Sequence, residues 1–125
     1  MATKRHSPLS GVYLPLVTPF LNGEVDYESI EPMLARYLDS GIAGLVLLGT
    51  TAESLVLSVE ESERIVEFVA EIVDGRLPLY LGVSGNDTKR VARSVRFSEK
   101  LAVDGYLITC PCYNRPTQAG LIAHF

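Results

Sequence analysis

The chain has 125 residues, 47% of them hydrophobic and 21% charged, a composition that suits one buried core and excludes a disordered segment. Its net charge of −4, with no basic run beyond Lys4-Arg5, leaves no electrostatic footprint for nucleic acid. The two cysteines, Cys110 and Cys112, are too close for an unstrained disulfide and lack the further ligands of a zinc site, so we expect a reducing cytoplasm and no metal.

The first apolar stretch, residues 8–21, follows Lys4-Arg5 as the core of a signal peptide would. It is interrupted by prolines and a glycine, and it lacks a small-residue cleavage pattern, so we interpret it as part of the folded protein. No apolar run approaches membrane-spanning length. We expect residues 1–10 to form a polar tail and residues 11–125 to form one globular unit.

Short apolar runs alternate along the chain with segments of helical period. The runs predict buried strands at residues 12–17, 44–48, 77–81 and 105–109. Apolar residues at helical spacing predict a first helix around residues 30–38 and a second around residues 65–73. A third helix is predicted over residues 87–102, with Val91, Val95 and Leu101 facing inward.

Local signals mark where these helices begin and end. Asp26 is the predicted N-cap of the first helix, and Ser58 with Glu61 predicts a capping box at the second. Gly41 and Gly75 stand just past the two C-termini. The resulting order, βαβαβαβ, is typical of an α/β fold whose parallel strands are joined by right-handed crossovers.

Thr117 predicts the N-cap of a fourth helix, and Phe125 follows after about two turns without a capping residue. We therefore expect the chain to be truncated within that helix. A full (β/α)8 TIM barrel runs to about 250 residues, so four strands in half that length predict the N-terminal half of a barrel. The pattern alone also allows a four-stranded doubly wound domain.

In parallel α/β folds the active site lies at the carboxyl ends of the strands, so the loops after the four predicted strands are the candidate site. The loop after the second strand, residues 49–54, has the hydroxyls of Thr50 and Thr51 and small residues whose backbone N–H groups can hold a carboxylate. The alternative is a loop in which the hydroxyls of Thr50 and Thr51 bond the local backbone.

The two later loops have simpler structural interpretations. Asn86 and Asp87 are predicted to cap the third helix, and Tyr113 by itself is typical of a packing or interface residue. Cys110 and Cys112 are predicted to be small buried residues. His6, in the tail, and His124, on the fourth helix, do not indicate a catalytic base.

Three segments in this order and spacing resemble the dihydrodipicolinate synthase and N-acetylneuraminate lyase family: residues 14–20 (LPLVTPF), 49–54 (GTTAES) and 111–116 (PCYNRP). The resemblance covers the chain from about residue 11 to residue 125. It implies a class I aldolase of TIM-barrel fold that handles pyruvate as a Schiff base on a lysine, without a metal or organic cofactor.

The resemblance also assigns roles to single residues. Thr51 matches the residue that holds the carboxylate of pyruvate, and Thr50 matches a hydroxyl that links two tyrosines in a proton relay. Tyr113 matches one of those tyrosines, which in the family reaches into the neighbouring subunit, so a tight dimer paired into a tetramer is implied. The Schiff-base lysine of the family lies on the sixth strand and the second tyrosine follows the fifth. None of Lys4, Lys89 and Lys100 matches that lysine, so this polypeptide by itself is expected to be inactive.

The implied reaction joins pyruvate to aspartate semialdehyde in lysine and diaminopimelate biosynthesis, because residues 113–116 resemble the loop of that branch. Two alternatives stay open. One is another pyruvate-dependent aldolase, acting on N-acetylneuraminate or 2-keto-3-deoxygluconate, since Ala52 and Cys112 replace a glycine and a tyrosine common in the synthases. The other is a non-catalytic fragment or interaction module.

Many members of the family are inhibited by lysine, and the resemblance places that regulatory site here at Ser54, Val59, Asn86, Arg90 and Cys112. Three of these residues depart from the regulated pattern. Arg90 stands where that pattern has a carboxylate for the ammonium of the ligand, Cys112 where it has a tyrosine, and Val59 where it has an imidazole. A degenerate site that does not respond to lysine is implied.

Overall fold

The computed structural model describes residues 9–125, so most of the predicted tail, including Lys4 and His6, lies outside the described residues. Four parallel strands form one sheet in the order β1-β4-β5-β6. They are β1 (Tyr13–Pro15), β4 (Gly44–Leu47), β5 (Leu79–Val83) and β6 (Gly105–Ile108). The predicted parallel sheet is confirmed.

Each strand of this sheet is followed along the chain by an α-helix. The helices are α1 (Tyr27–Leu38), α2 (Val59–Val73), α3 (Thr88–Ser98) and α4 (Gln118–His124). The caps predicted for three of them are confirmed: Asp26 accepts from Ser29 N, Ser58 and Glu61 form the capping box of α2, and Thr117 accepts from Gly120 N. Within residues 9–125 no helix combines the length and apolarity needed to cross a membrane.

The core lies on one face of the sheet, beneath the helices. Alternate strand residues such as Leu45, Leu47 and Leu79 are at most 3% exposed and pack with Leu34 of α1 and Val69 of α2. The opposite face is open, with Val17 44% and Leu107 50% exposed. A doubly wound sheet would be covered by helices on both faces, so this one-sided burial favours a section of barrel wall.

Two tyrosines fill part of the open face. The rings of Tyr13 and Tyr80 meet edge to face with their centroids 5.3 Å apart. Each ring lies over a glycine of the neighbouring strand, since a Cβ at Gly44 or Gly105 would come within 2.6 or 2.7 Å of a ring carbon. Desolvation raises the pKa of Tyr80, and the nearby Tyr13 and Asp104 raise it further.

Several predicted boundaries were wrong. Strand β5 begins at Leu79, whereas the strand was predicted to begin at residue 77. Pro78 has no N–H group to donate to a neighbouring strand, and Leu79 N donates to Asp104 Oδ2 at 2.9 Å. Helix α3 ends at Ser98 rather than at residue 102. The chain then turns, with Leu101 N bonded to Ser98 O, and Leu101 packs against the core. Lys100 therefore lies after α3 and not within it.

A short antiparallel hairpin between β1 and α1 was not predicted. Its strands are β2 (Phe20–Leu21) and β3 (Glu24–Val25), and they are joined by Asn22 and Gly23 at φ 54° and 87°. Positive φ at both turn residues is what a two-residue hairpin turn needs, and Asn-Gly is its strongest sequence signal. The signal was present in the sequence.

Candidate active site

The turn after β4 lies directly on the neighbouring strand β5. Leu48, at φ 53°, and Gly49 lead into a single 3₁₀ turn, Thr50–Ala52. A Cβ at Gly82 of β5 would lie 2.6 Å from Leu48 O and 2.9 Å from Gly49 N. Only glycine at position 82 therefore lets the turn reach its observed place at the carboxyl edge of the sheet.

Thr18 anchors the same turn from the other side. Its side chain, 7% exposed, donates from Oγ1 to Ala52 O at 2.8 Å, and Ala52 itself is 2% exposed. Thr18 lies in the segment 14–20, which carries the family resemblance, but no role was predicted for this residue. The partner is 34 residues away, so no local signal could have identified the bond.

Thr50 and Thr51 present their side chains to solvent at the edge of the sheet. Both residues are exposed, and among residues 9–125 neither hydroxyl has a hydrogen-bond partner. The first hydrogen bond of the turn runs from Ala52 N to Gly49 O at 3.1 Å, so the N–H groups of Thr50 and Thr51 precede it. Free hydroxyls beside free N–H groups are a suitable arrangement for an anionic ligand.

The loop after β6 holds Tyr113 away from the body of the chain. Tyr113 is 97% exposed and has φ 67°, and Asn114 N bonds Cys112 O across it at 2.8 Å. A bond from residue i+2 to residue i around a positive φ is a γ-turn, a rare and strained conformation for a tyrosine. Cys110 and Cys112 are both exposed, so their predicted burial was wrong; the loop leaves the sheet instead of packing on it.

The prediction that Asn86 and Asp87 both cap α3 was right for Asp87 and wrong for Asn86. Asp87 alone caps α3, by accepting from Lys89 N and Arg90 N. Asn86 reaches across to the next loop, where Nδ2 donates to Cys112 O at 3.1 Å and Oδ1 accepts from Cys112 N at 2.9 Å. The carboxyl ends of β5 and β6 are neighbours, which brings residues 26 positions apart into contact.

His124 links the last helix to α3. Its Nδ1 lies 2.8 Å from Thr88 Oγ1, whereas Nε2 is buried without a hydrogen-bond partner in the described part of the chain. This contact gives His124 a structural role that the sequence did not indicate.

The other residues of the lysine site that the resemblance implies lie at or near the surface. Ser54 is half-buried, Val59 is 57% exposed at the start of α2, and Arg90 is exposed in the first turn of α3. Of the two described lysines, Lys89 is exposed on α3 and Lys100 has its Nζ 3.7 Å above the ring of Phe97. Residues 9–125 contain no cluster of three side chains able to hold a metal ion.

Residues 8–125 match the family model described as the dihydrodipicolinate synthetase family. A 4-hydroxy-tetrahydrodipicolinate synthase of Thermotoga neapolitana is 44% identical over 115 residues, which are 92% of this chain and 39% of that protein. The crystal structure of dihydrodipicolinate synthase from Thermotoga maritima gives a TM-score of 0.88 at 43% identity, covering 91% of this chain and 39% of that one.

A more distant likeness is to a prophage protein of Escherichia coli K12, which belongs to the dihydrodipicolinic acid synthase family and was crystallised with pyruvate. It gives a TM-score of 0.88 at 26% identity and covers 95% of this chain and 40% of that one. The chain thus spans about two-fifths of the length of its relatives.

Proposed function

Because this chain belongs to the dihydrodipicolinate synthetase family, we propose that the enzyme of which it is a part condenses pyruvate with aspartate semialdehyde. The chain supplies the first four βα units of a (β/α)8 barrel. The observation that carries the proposal is the pair of loops at the carboxyl edge of the sheet. Thr50 and Thr51 are exposed on one loop, and Tyr113 projects from the other.

In the proposed reaction, the ketone of pyruvate forms an imine with a lysine and releases water. The methyl group then loses a proton to give an enamine, whose carbon attacks the aldehyde while the aldehyde oxygen takes up a proton. We assign to Thr51 the task of holding the pyruvate carboxylate. Its hydroxyl is exposed, and its N–H group precedes the first hydrogen bond of the turn, so both can bond an anion. A fixed carboxylate keeps the ketone in one orientation while the imine forms.

Imine formation and hydrolysis both require protons to be moved to and from the nitrogen and oxygen atoms bound to the same carbon. A threonine hydroxyl donates one hydrogen bond and accepts others, so Thr50 can link two phenols in a relay. We assign one of those phenols to Tyr113. Because its ring is 97% exposed in a single copy of the chain, we propose that it acts in the site of a neighbouring subunit, within a dimer of dimers in the cytoplasm.

The family resemblance implies that the Schiff-base lysine lies on the sixth strand and that the second relay tyrosine follows the fifth. They belong to the share of the family's length that these 125 residues do not cover. Neither Lys89 nor Lys100 is a substitute, since both are exposed and lie on or just after the outer helix α3.

A second candidate is a different pyruvate-dependent aldolase, one that cleaves N-acetylneuraminate or 2-keto-3-deoxygluconate. The pyruvate complex of the Escherichia coli relative favours pyruvate as the shared substrate even at 26% identity. It does not distinguish between aldehyde partners. Both candidates use the same carboxylate-holding and relay residues.

The test treats the full-length enzyme with pyruvate and borohydride and then measures its mass by mass spectrometry. We expect one reduced pyruvate adduct per subunit and turnover with aspartate semialdehyde. No adduct would refute both candidates, whereas an adduct with turnover only on the sugar acids would select the second.

Variants of the same enzyme test the assigned roles. Thr50→Val and Tyr113→Phe should each lower kcat by roughly 10²-fold or more through loss of the relay. Thr51→Val should chiefly raise the KM for pyruvate. Tyr37→Phe, on α1 and away from both loops, is the matched control and should keep normal kinetics. Near-normal kinetics in all three site variants would show that these loops are only structural.

A further inference from the structure

Three consecutive residues at the start of α3 each bond a different part of the protein. Asp87 caps its own helix through Lys89 N and Arg90 N. Asn86 bonds the backbone of Cys112 in the next loop, and Thr88 bonds His124 on α4. The segment 86–88 therefore holds the loop that carries Tyr113 at two places. One is Cys112, just before the tyrosine, and the other is α4, which follows the loop.

The contact between Asn86 and Cys112 uses both polarities of the side-chain amide. Nδ2 donates to the carbonyl of Cys112 at 3.1 Å, and Oδ1 accepts from its N–H at 2.9 Å. A side-chain amide donates from its nitrogen and accepts at its oxygen at the same time, whereas an ionised carboxylate only accepts. The pair restrains residue 112 in translation and in rotation, which a single hydrogen bond would not do.

Tyr113 depends on this restraint because, within residues 9–125, no other side chain bonds the turn formed by residues 112–114. The ring is 97% exposed, and its φ of 67° places it at the centre of the γ-turn closed by Asn114 N and Cys112 O. The carbonyl of Cys112 is the shared acceptor of Asn86 Nδ2 and Asn114 N. A strained backbone persists only where the surrounding structure enforces it.

We propose that Asn86 is the positioning residue for Tyr113. By holding both backbone polar groups of Cys112, it keeps Tyr113 in the γ-turn and directs the phenol away from its own chain. The inference rests on the proposed role of Tyr113 in the proton relay. It gives Asn86 a part in turnover that does not require a ligand on Asn86.

The test measures kcat and the KM for pyruvate in the full-length enzyme carrying Asn86→Asp, which keeps the acceptor and replaces the donor by a second oxygen. We expect kcat to fall by about tenfold to a hundredfold, since small misplacements of a reacting group have effects of this size. The KM for pyruvate should stay within about twofold, because Thr51 is untouched. The same change at an exposed hairpin residue, Asn22→Asp, should leave both constants unaltered.

A double-mutant cycle separates positioning from general damage. If Asn86 acts through the phenol, Asn86→Asp should cause no further loss of kcat once Tyr113→Phe is present. Losses that multiply would overturn the inference. If Asn86→Asp does not fold, as judged by circular dichroism, Asn86→Ala removes both bonds without adding a charge and takes its place in the cycle.

The remaining outcomes separate this inference from the proposed function. Normal kcat in Asn86→Asp beside a depressed kcat in Tyr113→Phe would refute the positioning role and leave the relay intact. Normal kcat in Tyr113→Phe would refute both. The kcat of Asn86→Asp is also measured at increasing protein concentration, while light scattering follows dimer formation. A loss of kcat that disappears as the dimer forms would place Asn86 in subunit assembly and would also refute the positioning role.

Discussion

Arg90 combines an ordinary backbone contact with an exposed cationic side chain at a position of the implied lysine site. Its N–H bonds the capping carboxylate of Asp87 at 3.3 Å, and its side chain is exposed in the first turn of α3. The family resemblance would place a carboxylate at this position for the ammonium group of an inhibitory lysine. A guanidinium there repels the same ammonium.

We therefore predict that the full-length enzyme is insensitive to lysine. Replacing a charge-assisted hydrogen bond, worth about 1.5 to 3 kcal/mol, by repulsion should weaken lysine binding by roughly a hundredfold or more. The loss of the tyrosine at Cys112 and of the imidazole at Val59 acts in the same direction. A lysine titration of the turnover rate tests this, and half-inhibition at submillimolar lysine would disprove it.

A gain-of-function variant provides the matched control. Arg90→Glu restores the expected carboxylate, and combined with Cys112→Tyr it should increase inhibition by lysine. Cys112 meets Asn86 through its backbone, so this side-chain change leaves the two bonds between them possible.

At the scale of elements, α2 shows how a local cap sets the start of a helix. Ser58 N donates to Glu61 Oε2 at 2.8 Å and Glu61 N donates to Ser58 Oγ at 3.1 Å. These hydrogen bonds from Ser58 lower the pKa of Glu61 from its usual value of 4.5. The carboxylate is thus favoured in the folded state over the unfolded one.

Removing this cap should destabilise the protein in a pH-dependent way. Ser58→Ala is expected to lower the free energy of unfolding by about 1 kcal/mol at neutral pH. Because the pKa of Glu61 is depressed on folding, its contribution is present above the unfolded pKa and is lost as the pH falls through the folded value. The difference between Glu61→Gln and the unaltered protein should therefore shrink in acid.

Urea unfolding of the full-length protein at neutral and acid pH measures both effects. Glu63→Gln, on the same helix but without a bond to the cap, is the control for loss of an acidic side chain and should leave the free energy of unfolding at neutral pH nearly unchanged. An effect of Glu61→Gln that is equal at both pH values would contradict the role of the carboxylate.

At the scale of the molecule, the described sheet has two unpaired edges and one uncovered face. Strands β1 and β6 are the outer strands, and Val17 and Leu107 on the open face are 44% and 50% exposed. Unpaired strand edges and exposed apolar faces promote association. In a complete barrel the remaining strands would cover both.

We expect the isolated 125-residue polypeptide to self-associate and to form no imine with pyruvate. A Schiff-base lysine needs a desolvated pocket, and Lys89 and Lys100 are exposed. Light scattering and borohydride trapping test the two statements. A compact monomer would contradict the first, and a stoichiometric adduct on either lysine would contradict the second.

The sequence by itself determined the alternation of strands and helices, the N-caps at Asp26, Ser58 and Thr117, and the segments that form the candidate site. These features depend on residues within a few positions of one another, so the apolar period and the capping residues encode them. The same local signal at Asn22-Gly23 would have identified the hairpin.

Only the tertiary structure decided how the candidate loops are held. Asn86 bonds a loop 26 residues away, and Thr18 bonds a turn 34 residues away, because adjacent parallel strands bring their carboxyl ends to the same edge. The exposure of Cys110 and Cys112 was decided in the same way, since burial depends on which elements pack over a residue. Local sequence specifies what a side chain can bond, and the parallel register of the sheet selects the partner that it meets.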